Sequence, residues 1–321
     1  MLYDKAMKAF YKLKQLNPRQ NALLALKLFD SLIYPIISYA GVVWGPTYMN
    51  KLTPTNFKKL TENVIVEKIN IKLCKYVLGV NKFAANDAVR GELGRFPLLI
   101  NILNQSINYK KRINAMSSET LVKKSCLEAI NSHPNFKIQW THIADNLFEY
   151  FDTGHSSVLQ QLKNEYCKMW HQEINPQYSY GKLRTYCTFK KQFHMENYLA
   201  QLPLNKRQNL TKLRISAHRL AIETGRYTRP ITPISERVCT LCNSGDIEDE
   251  PHLVLKCNFF KEQRTKLQND IHNFSSLKLE PTEHIFQLIM SCCNGDLEYA
   301  ISVCTFINEC FEIRDNYLNA H

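Results

Sequence analysis

The stretch Val238–Cys257, VCTLCNSGDIEDEPHLVLKC, decides how the rest of the chain is read. It places Cys239, Cys242, His252 and Cys257 in a C-x2-C-x9-H-x4-C pattern. Three thiolates and one imidazole are a donor set that tetrahedral zinc takes, and a site with four protein ligands is structural rather than catalytic. Two residues between Cys239 and Cys242 let a tight turn aim both sulfurs at one point. Gly245 and the acidic Asp246, Glu248, Asp249 and Glu250 read as a solvated loop, and Pro251 suits the first turn of a short helix carrying His252. His252 and Cys257 do not share a face of an α-helix, so Cys257 is expected where that helix ends. In a chain with 11 cysteines a C-x2-C pair arises by chance, and the H-x4-C after it gives the pattern its specificity. The competing readings are buried, unligated thiols and a redox C-x2-C. The second is disfavoured because no βαβ pattern surrounds the pair. The expectation is one structural Zn2+.

Working outward, 321 residues with 45% hydrophobic and 22% charged content suit a globular chain of one to three domains. Only 10 Gly and 12 Pro argue against a disordered or collagen-like chain. The cysteines lack the dense spacing of a secreted scaffold and no signal peptide follows Met1, so an intracellular, reducing compartment (nucleus or cytoplasm) is expected. The net charge is +12, unevenly spread. Residues 1–60 set nine Lys/Arg against Asp4 and Asp30, and residues 206–230 set seven against Glu223 alone. The segments from 231 onward are acidic. A basic front and a basic collar before the Cys/His segment suit a polyanion, most simply nucleic acid, with a lysine-rich solvated surface as the alternative. The longest uncharged run, Ser31 to Asn50, contains Pro35, Gly41, Gly45 and Pro46 and reads as buried core, not membrane.

The periodicity predicts helices. Leu2, Ala6, Ala9, Phe10, Leu13 and Leu16 form an amphipathic stripe, and Asn17-Pro18 ends that helix and starts another. Leu23, Leu24, Leu26, Leu28, Phe29, Leu32 and Ile33 make the second helix apolar on several sides and hence central; Pro35 breaks or kinks it. Residues 57–80 read as one helix, with Ile65, Ile69, Leu73, Tyr76 and Val77 inward and Gly79 just past its end. A further helix is expected from about Leu98 to Met116, and shorter ones at 121–131, 156–171 and 190–200. Asn209 to Thr224 reads as a single helix closed by Gly225, with Leu213, Ala217, Leu220 and Ala221 inward. Phe259 to Ile271, Pro281 to Met290 and Leu297 to Leu318 complete the set, the last presenting Leu297, Ile301, Cys304 and Phe311. Cys292, Cys293, Cys304 and Cys310 read as buried small hydrophobes.

Two stretches together resemble one family. LYDKAMKAFYKLKQLNPRQNALLALKLFDSLIYPIISYAGVVWGP is similar to the thumb, and the segment just after it, in reverse transcriptases of non-LTR (LINE-type) retrotransposons. LTKLRISAHRLAIETGRYTRPITPISERVCTLCNSGDIEDEPHLVLKCNFFKEQR resembles the CCHC zinc-knuckle segment near the C-terminus of the same polyproteins, and the order and separation of the two also match. The resemblance implies Cys239, Cys242, His252 and Cys257 as the metal ligands, and Arg214, His218, Arg219 and Arg226 as matching the basic helix before them. Ala40 departs from a glycine that commonly follows the aromatic of Tyr39, a difference expected to affect packing only. The larger departure concerns catalysis. Polymerisation needs closely placed carboxylates to hold two magnesium ions. The chain has no Asp-Asp pair and no Pro-Asp dipeptide, and it begins where the family's palm would already have ended.

The expected fold is mainly α. A helical thumb-like bundle (1–116) and a helical connecting region (117–205) precede a C-terminal region (206–321) with the basic helix, the CCHC module and terminal helices. The expected function is that of a zinc-stabilised nucleic-acid-binding fragment of such a reverse transcriptase, not an enzyme. It would contact the phosphate backbone of RNA or DNA through Lys206, Arg207, Lys212, Arg214, Arg219, Arg226 and Arg229, while Tyr11, Trp170 or Tyr227 could stack on bases. No membrane and no small-molecule substrate is expected. The alternatives are an accessory subunit working with a separate catalytic chain, and a decayed open reading frame.

Overall fold

The computed structural model describes residues 2–132, 140–151, 157–175, 181–270, 283–291 and 296–320. Among them the protein is mainly helical, with eighteen α-helices joined by short turns and only two isolated β-bridges, Leu93 with Met195 and Val238 with Ile247. The chain divides into two compact units that do not follow linear order. One comprises Met1–Leu16, Leu26–Leu73 and Phe96–Glu173, and the other Asn17–Ala25, Cys74–Arg95 and Ile174–His321. The expected boundary at 116/117 falls inside the first unit and that at 205/206 inside the second.

The first unit is built on the Leu98–Ala115 helix, whose Leu99, Ile102, Leu103 and Ile107 are fully buried. Glu67 starts it from a distance, its Oε2 accepting the Leu98 N–H at 2.8 Å. This places a carboxylate at the positive end of the helix dipole. The short Gly41–Trp44 helix lies against the same rod. A Cβ at Gly45 would stand 2.5 Å from Ile102 Cγ2 and 2.7 Å from the Gly41 carbonyl oxygen, so this close approach requires glycine. Trp140–Phe151, which the sequence pattern missed, packs on the rod too, and Trp140 Nε1 donates to Val42 O at 2.7 Å.

Several expected elements form where predicted. Leu2–Gln15 buries Ala6, Phe10 and Leu13, and the chain breaks at Ile33 between Ala22–Leu32 and Tyr34–Ser38, with Pro35 in the first turn of the second. Others are revised. Residues 57–80 are two helices, Phe57–Glu62 and Glu67–Leu78, and the break turns Ile65 outward while Ile69, Leu73 and Val77 stay buried. The Ala22–Leu32 helix is not apolar-core on all sides. Ala22, Ala25 and Phe29 are buried, whereas Leu23, Leu24 and Leu32 are exposed. The run from Ser31 to Asn50 is likewise half-buried, with Ile33, Ile37 and Met49 inside and Leu32, Tyr39, Val43 and Tyr48 outside. Among the described residues no single helix is long and apolar enough to cross a membrane. Ala22–Ser38 and Gly41–Met49, bent by 61°, reach that length only as a pair.

Ala40 has φ 51°, in the left-handed region. The glycine preference there is therefore a backbone matter and not one of packing, because a Cβ in that region crowds the following carbonyl.

In the second unit the Leu204–Arg214 helix packs along Leu297–Ala320, and Lys261–Asp270 packs on the same long helix. Leu297–Ala320 turns Val303, Cys304, Ile307, Cys310 and Phe311 inward, while Leu297 and Ile301 are exposed, contrary to the expected stripe. Cys292 and Cys293 lie outside the described residues. Gly79 (φ 66°) closes Glu67–Leu78 as expected, with Val80 N–H donating to Lys75 O at 3.1 Å. The expected helix from Asn209 to Thr224 is broken instead. Ser216 is left-handed (φ 52°), and Ala217 N–H donates back to Lys212 O at 2.8 Å while Ser216 N–H donates to Leu213 O at 3.3 Å. This is a Schellman ending, with serine in the place glycine usually takes. A separate short helix, Ala221–Thr224, comes next.

Candidate metal centre and the basic segment before it

The Cys/His cluster is assembled by a small hairpin and one wide helical turn. Cys239 N–H donates to Asp246 O at 2.8 Å and Glu248 N–H to Arg237 O at 2.9 Å, so the two arms from Arg237 and from Glu248 run antiparallel. Between them Asn243 (φ 52°) and Gly245 (φ 76°) make the tip and swing Cys242 back beneath Cys239. Asp249 caps the next element, its Oδ1 accepting the His252 N–H at 2.8 Å. His252–Lys256 is a π-turn, closed by Cys257 N–H donating to His252 O at 2.8 Å. That five-residue step brings His252 and Cys257 together where an α-helix would set them about 140° apart. Cys257 ends the turn, as the spacing predicts.

The result is convergence. Cys239 Sγ and Cys257 Sγ are 3.9 Å apart, Cys242 Sγ and His252 Nε2 are 3.4 Å apart, and all four ligand atoms lie within 4.8 Å of one another. Cys239, His252 and Cys257 are buried and Cys242 is half-buried. Leu253 and Val254, between His252 and Cys257, and Phe260 just after them are buried as well. This cluster is fit to hold a metal ion. The donors also hydrogen-bond to one another. The hydrogen bond from Cys257 holds the Cys239 thiol down to about 3, against burial and helped by His252 and the backbone N–H groups of Cys242 and Leu241. The Cys257 thiol is pushed up, first by that same bond to Cys239 and then by burial. Burial works against a charged His252, but hydrogen bonds to Cys239 and Cys242 raise it overall. On its other side, His252 Nδ1 is buried and stands 3.6 Å from Asp246 Oδ2.

The acidic loop is solvated only in part: Gly245 and Asp246 at its tip are exposed, but the rest is not. Glu248 and Glu250 are buried and serve as anchors. Glu248 takes a bidentate guanidinium, Arg314 Nε to Oε1 at 2.7 Å and Nη2 to Oε2 at 2.9 Å, and also accepts the Ala221 N–H at 2.6 Å. Glu250 accepts from Ser216 Oγ at 3.0 Å, from His218 Nε2 at 2.9 Å, and from Arg184. Leu220 N–H donates to His218 Nδ1 at 3.2 Å, which leaves the ring proton on Nε2, facing Glu250. Burial alone would push the Glu250 carboxyl up, yet His218 and Arg184 hold it down to about 2.

The basic collar divides into interior and surface residues. Arg207 and Arg214, expected as phosphate contacts, are fully buried. Arg207 ties up the carbonyls of Leu202 (3.1 Å), Arg19 (3.1 Å) and Val77 (3.0 Å), the last in the final turn of Glu67–Leu78. Arg214 Nε and Nη2 meet Glu92 at 3.0 and 2.9 Å, Nη2 lies 3.0 Å from Glu196, and Nη1 donates to Met290 O. Phe189 and Tyr198 flank the guanidinium, 4.7 and 5.5 Å from its carbon. Neither arginine has surface to offer a phosphate, because the carboxylates and carbonyls inside the unit already claim it. Lys206, Arg219 and Arg229 are exposed, and Lys212 and Arg226 half-buried, Arg226 being 3.2 Å from Glu223. Of the aromatics expected to stack, Trp170 is fully buried, whereas Tyr11 and Tyr227 are exposed. Sequence reasoning missed Arg184, Glu92 and Arg314, each distant from its partner along the chain, and Glu196, which bridges Lys190 and Arg214.

No protein-family model, curated protein or solved structure matches the chain.

Proposed function

We propose that this chain is a zinc-stabilised nucleic-acid-binding fragment resembling the thumb-to-zinc-knuckle region of non-LTR retrotransposon reverse transcriptases. The observation that carries the reading is the spacing of the four donors. Zinc–sulfur and zinc–nitrogen bonds of about 2.3 and 2.0 Å at tetrahedral angles imply S···S edges of about 3.8 Å and S···N edges of about 3.5 Å. The separations of 3.9 Å and 3.4 Å match both. With three thiolates and an imidazole as ligands, the ion supplies folding energy to the loop and leaves no position for substrate.

The nucleic-acid part rests on charge. The net charge of +12 remains largely outside after Arg207 and Arg214 are assigned to the interior, and Lys206, Lys212, Arg219, Arg226 and Arg229 stay exposed or half-buried. The role is binding, not polymerisation, since no Asp-Asp pair occurs in the sequence. Two measurements test this. Elemental analysis of purified protein is expected to give about one zinc per chain. Fluorescence anisotropy with a single-stranded oligonucleotide is expected to show log affinity falling with log salt at about −0.7 per phosphate contact. Zinc-free protein that is folded, or affinity indifferent to salt, refutes the corresponding half.

A further inference from the structure

Beside the metal loop the second unit has two hollows that share a wall of Asn81, Ala217 and His218. The first, about 420 Å³, is mostly apolar and has two exposed rings at its rim, Phe83 and Tyr227, 67% and 66% exposed. Lys182 stands between them. Its Nζ donates to Phe83 O at 3.0 Å and lies 3.5 Å from Tyr227 Oη. Lys82 Nζ lies 4.9 Å from the centre of the Phe83 ring. The Phe83 loop is fixed, because Phe83 N–H donates to Asn81 Oδ1 at 2.9 Å just after the left-handed Gly79. The second hollow, about 590 Å³, is mainly polar and is lined by Lys212, Arg219 and Asn209.

We propose that the two hollows form one single-strand site, in which Phe83 and Tyr227 hold an unstacked base and Lys212 and Arg219 take the adjoining phosphate. Large rings left in water on either side of an ammonium are costly for a folded chain and suit a flat, electron-rich partner. Every nucleobase has such a face, so the slot is tolerant of sequence. The polar hollow next to it supplies the positive charge that a sugar–phosphate chain attracts. Two carboxylates also line the hollows: Glu223 has cations of its own, whereas Asp315 shares Arg314 with Glu248 and also acts on Lys212, so that Lys212 and Arg219 together still leave the polar hollow net positive. Glu223 is paired with Arg184 at 2.8 Å and with Arg226 at 3.2 Å, and Asp315 lies 3.8 Å from Arg314. A base inside a duplex cannot enter, so the site selects single strands.

This inference rests on the nucleic-acid reading above, and one experiment separates their failures. The full chain is titrated into a fluorescent dodecamer containing 2-aminopurine, as a single strand and as a duplex, for wild type, Phe83→Ala/Tyr227→Ala and Lys212→Gln/Arg219→Gln, with zinc content checked in each. Loss of ring stacking should weaken the single strand by at least about 10-fold while leaving duplex affinity and the salt slope unchanged. The charge variant should weaken both forms and flatten the slope by one or two contacts' worth. Single-strand affinity that survives the ring substitutions overturns the base slot while sparing backbone binding. Wild-type protein that binds neither form removes the parent reading and this one together. A free mononucleotide that competes at the oligonucleotide's own concentration overturns the assignment to a strand.

Discussion

Replacing Arg214 with methionine tests whether the Leu204–Arg214 helix is held from the interior of its unit. The guanidinium bridges Glu92, which is fully buried, and Glu196, which is 9% exposed. Methionine keeps most of the stem volume, so the loss is electrostatic rather than a cavity. Glu196 retains the Lys190 ammonium, whose field also reaches Glu92, but the hydrogen bond left to Glu92 is that of the Tyr198 hydroxyl at 2.7 Å. Removing one partner of such a buried pair costs about 3–5 kcal/mol. With a urea slope of about 2 kcal/mol per molar, the unfolding midpoint should fall by about 2 M. Far-UV circular dichroism during urea titration is the assay. Arg219→Met, an exposed control in the same segment, should stay within about 0.5 kcal/mol of wild type. Adding Glu92→Gln to Arg214→Met should recover at least about 1 kcal/mol, since it removes the orphaned charge. An Arg214→Met protein as stable as the Arg219→Met control would refute the interior assignment and return the side chain to the surface.

Cys257→Ser should lower zinc content well below one per chain and raise amide exchange across 237–260, read by hydrogen–deuterium mass spectrometry; a full zinc complement counts against the ligand set. Glu250 has its folded value depressed to about 2 from an ordinary 4.5, so its stabilising contribution is complete above about pH 4.5 and drains away as pH falls toward 2. That shift corresponds to about 3 kcal/mol at neutral pH. Glu250→Gln should therefore lose stability at pH 7 and show a flatter stability curve between pH 4.5 and 2 than wild type, and parallel curves would contradict the pairing. Ala40→Gly should stabilise the first unit by about 1 kcal/mol in urea titration, because glycine adopts φ 51° without the Cβ penalty; a loss of stability would mean that the turn is not left-handed in solution.

The metal quartet was legible because ligand spacing is local chemistry, and so was Gly79, because glycine advertises the left-handed ending it permits. Ser216 does the same work without that signal, so an unbroken helix to Thr224 looked consistent with the apolar spacing. Beyond that break His218 turns inward to Glu250, while Arg219 and Arg229 stay exposed. Arg214 and Arg207 could not be recognised as interior residues from their neighbours. Their partners Glu92 and Val77 lie 122 and 130 residues away, and a buried arginine and a solvated one look alike in a sequence. The C-terminal helix erred for a related reason. Its segment AISVCTFINECF is apolar on several sides, so periodicity alone does not say that Val303 and Ile307 face inward and Ile301 outward.

The two anchoring carboxylates of the metal loop bear on how portable that loop is. Cut out as a short peptide, 237–260 would keep its four donors, but Glu248 and Glu250 would lose the cations they neutralise. The remainder of the chain would suffer too, since Arg184 would keep only Glu223, and Arg314 only Asp315 at 3.8 Å, in place of their bonds to the loop. A self-contained knuckle can be shuffled between proteins like a bead on a string. This one is wired at both carboxylates into the body that carries it, so grafting it elsewhere would mean transplanting its arginines as well.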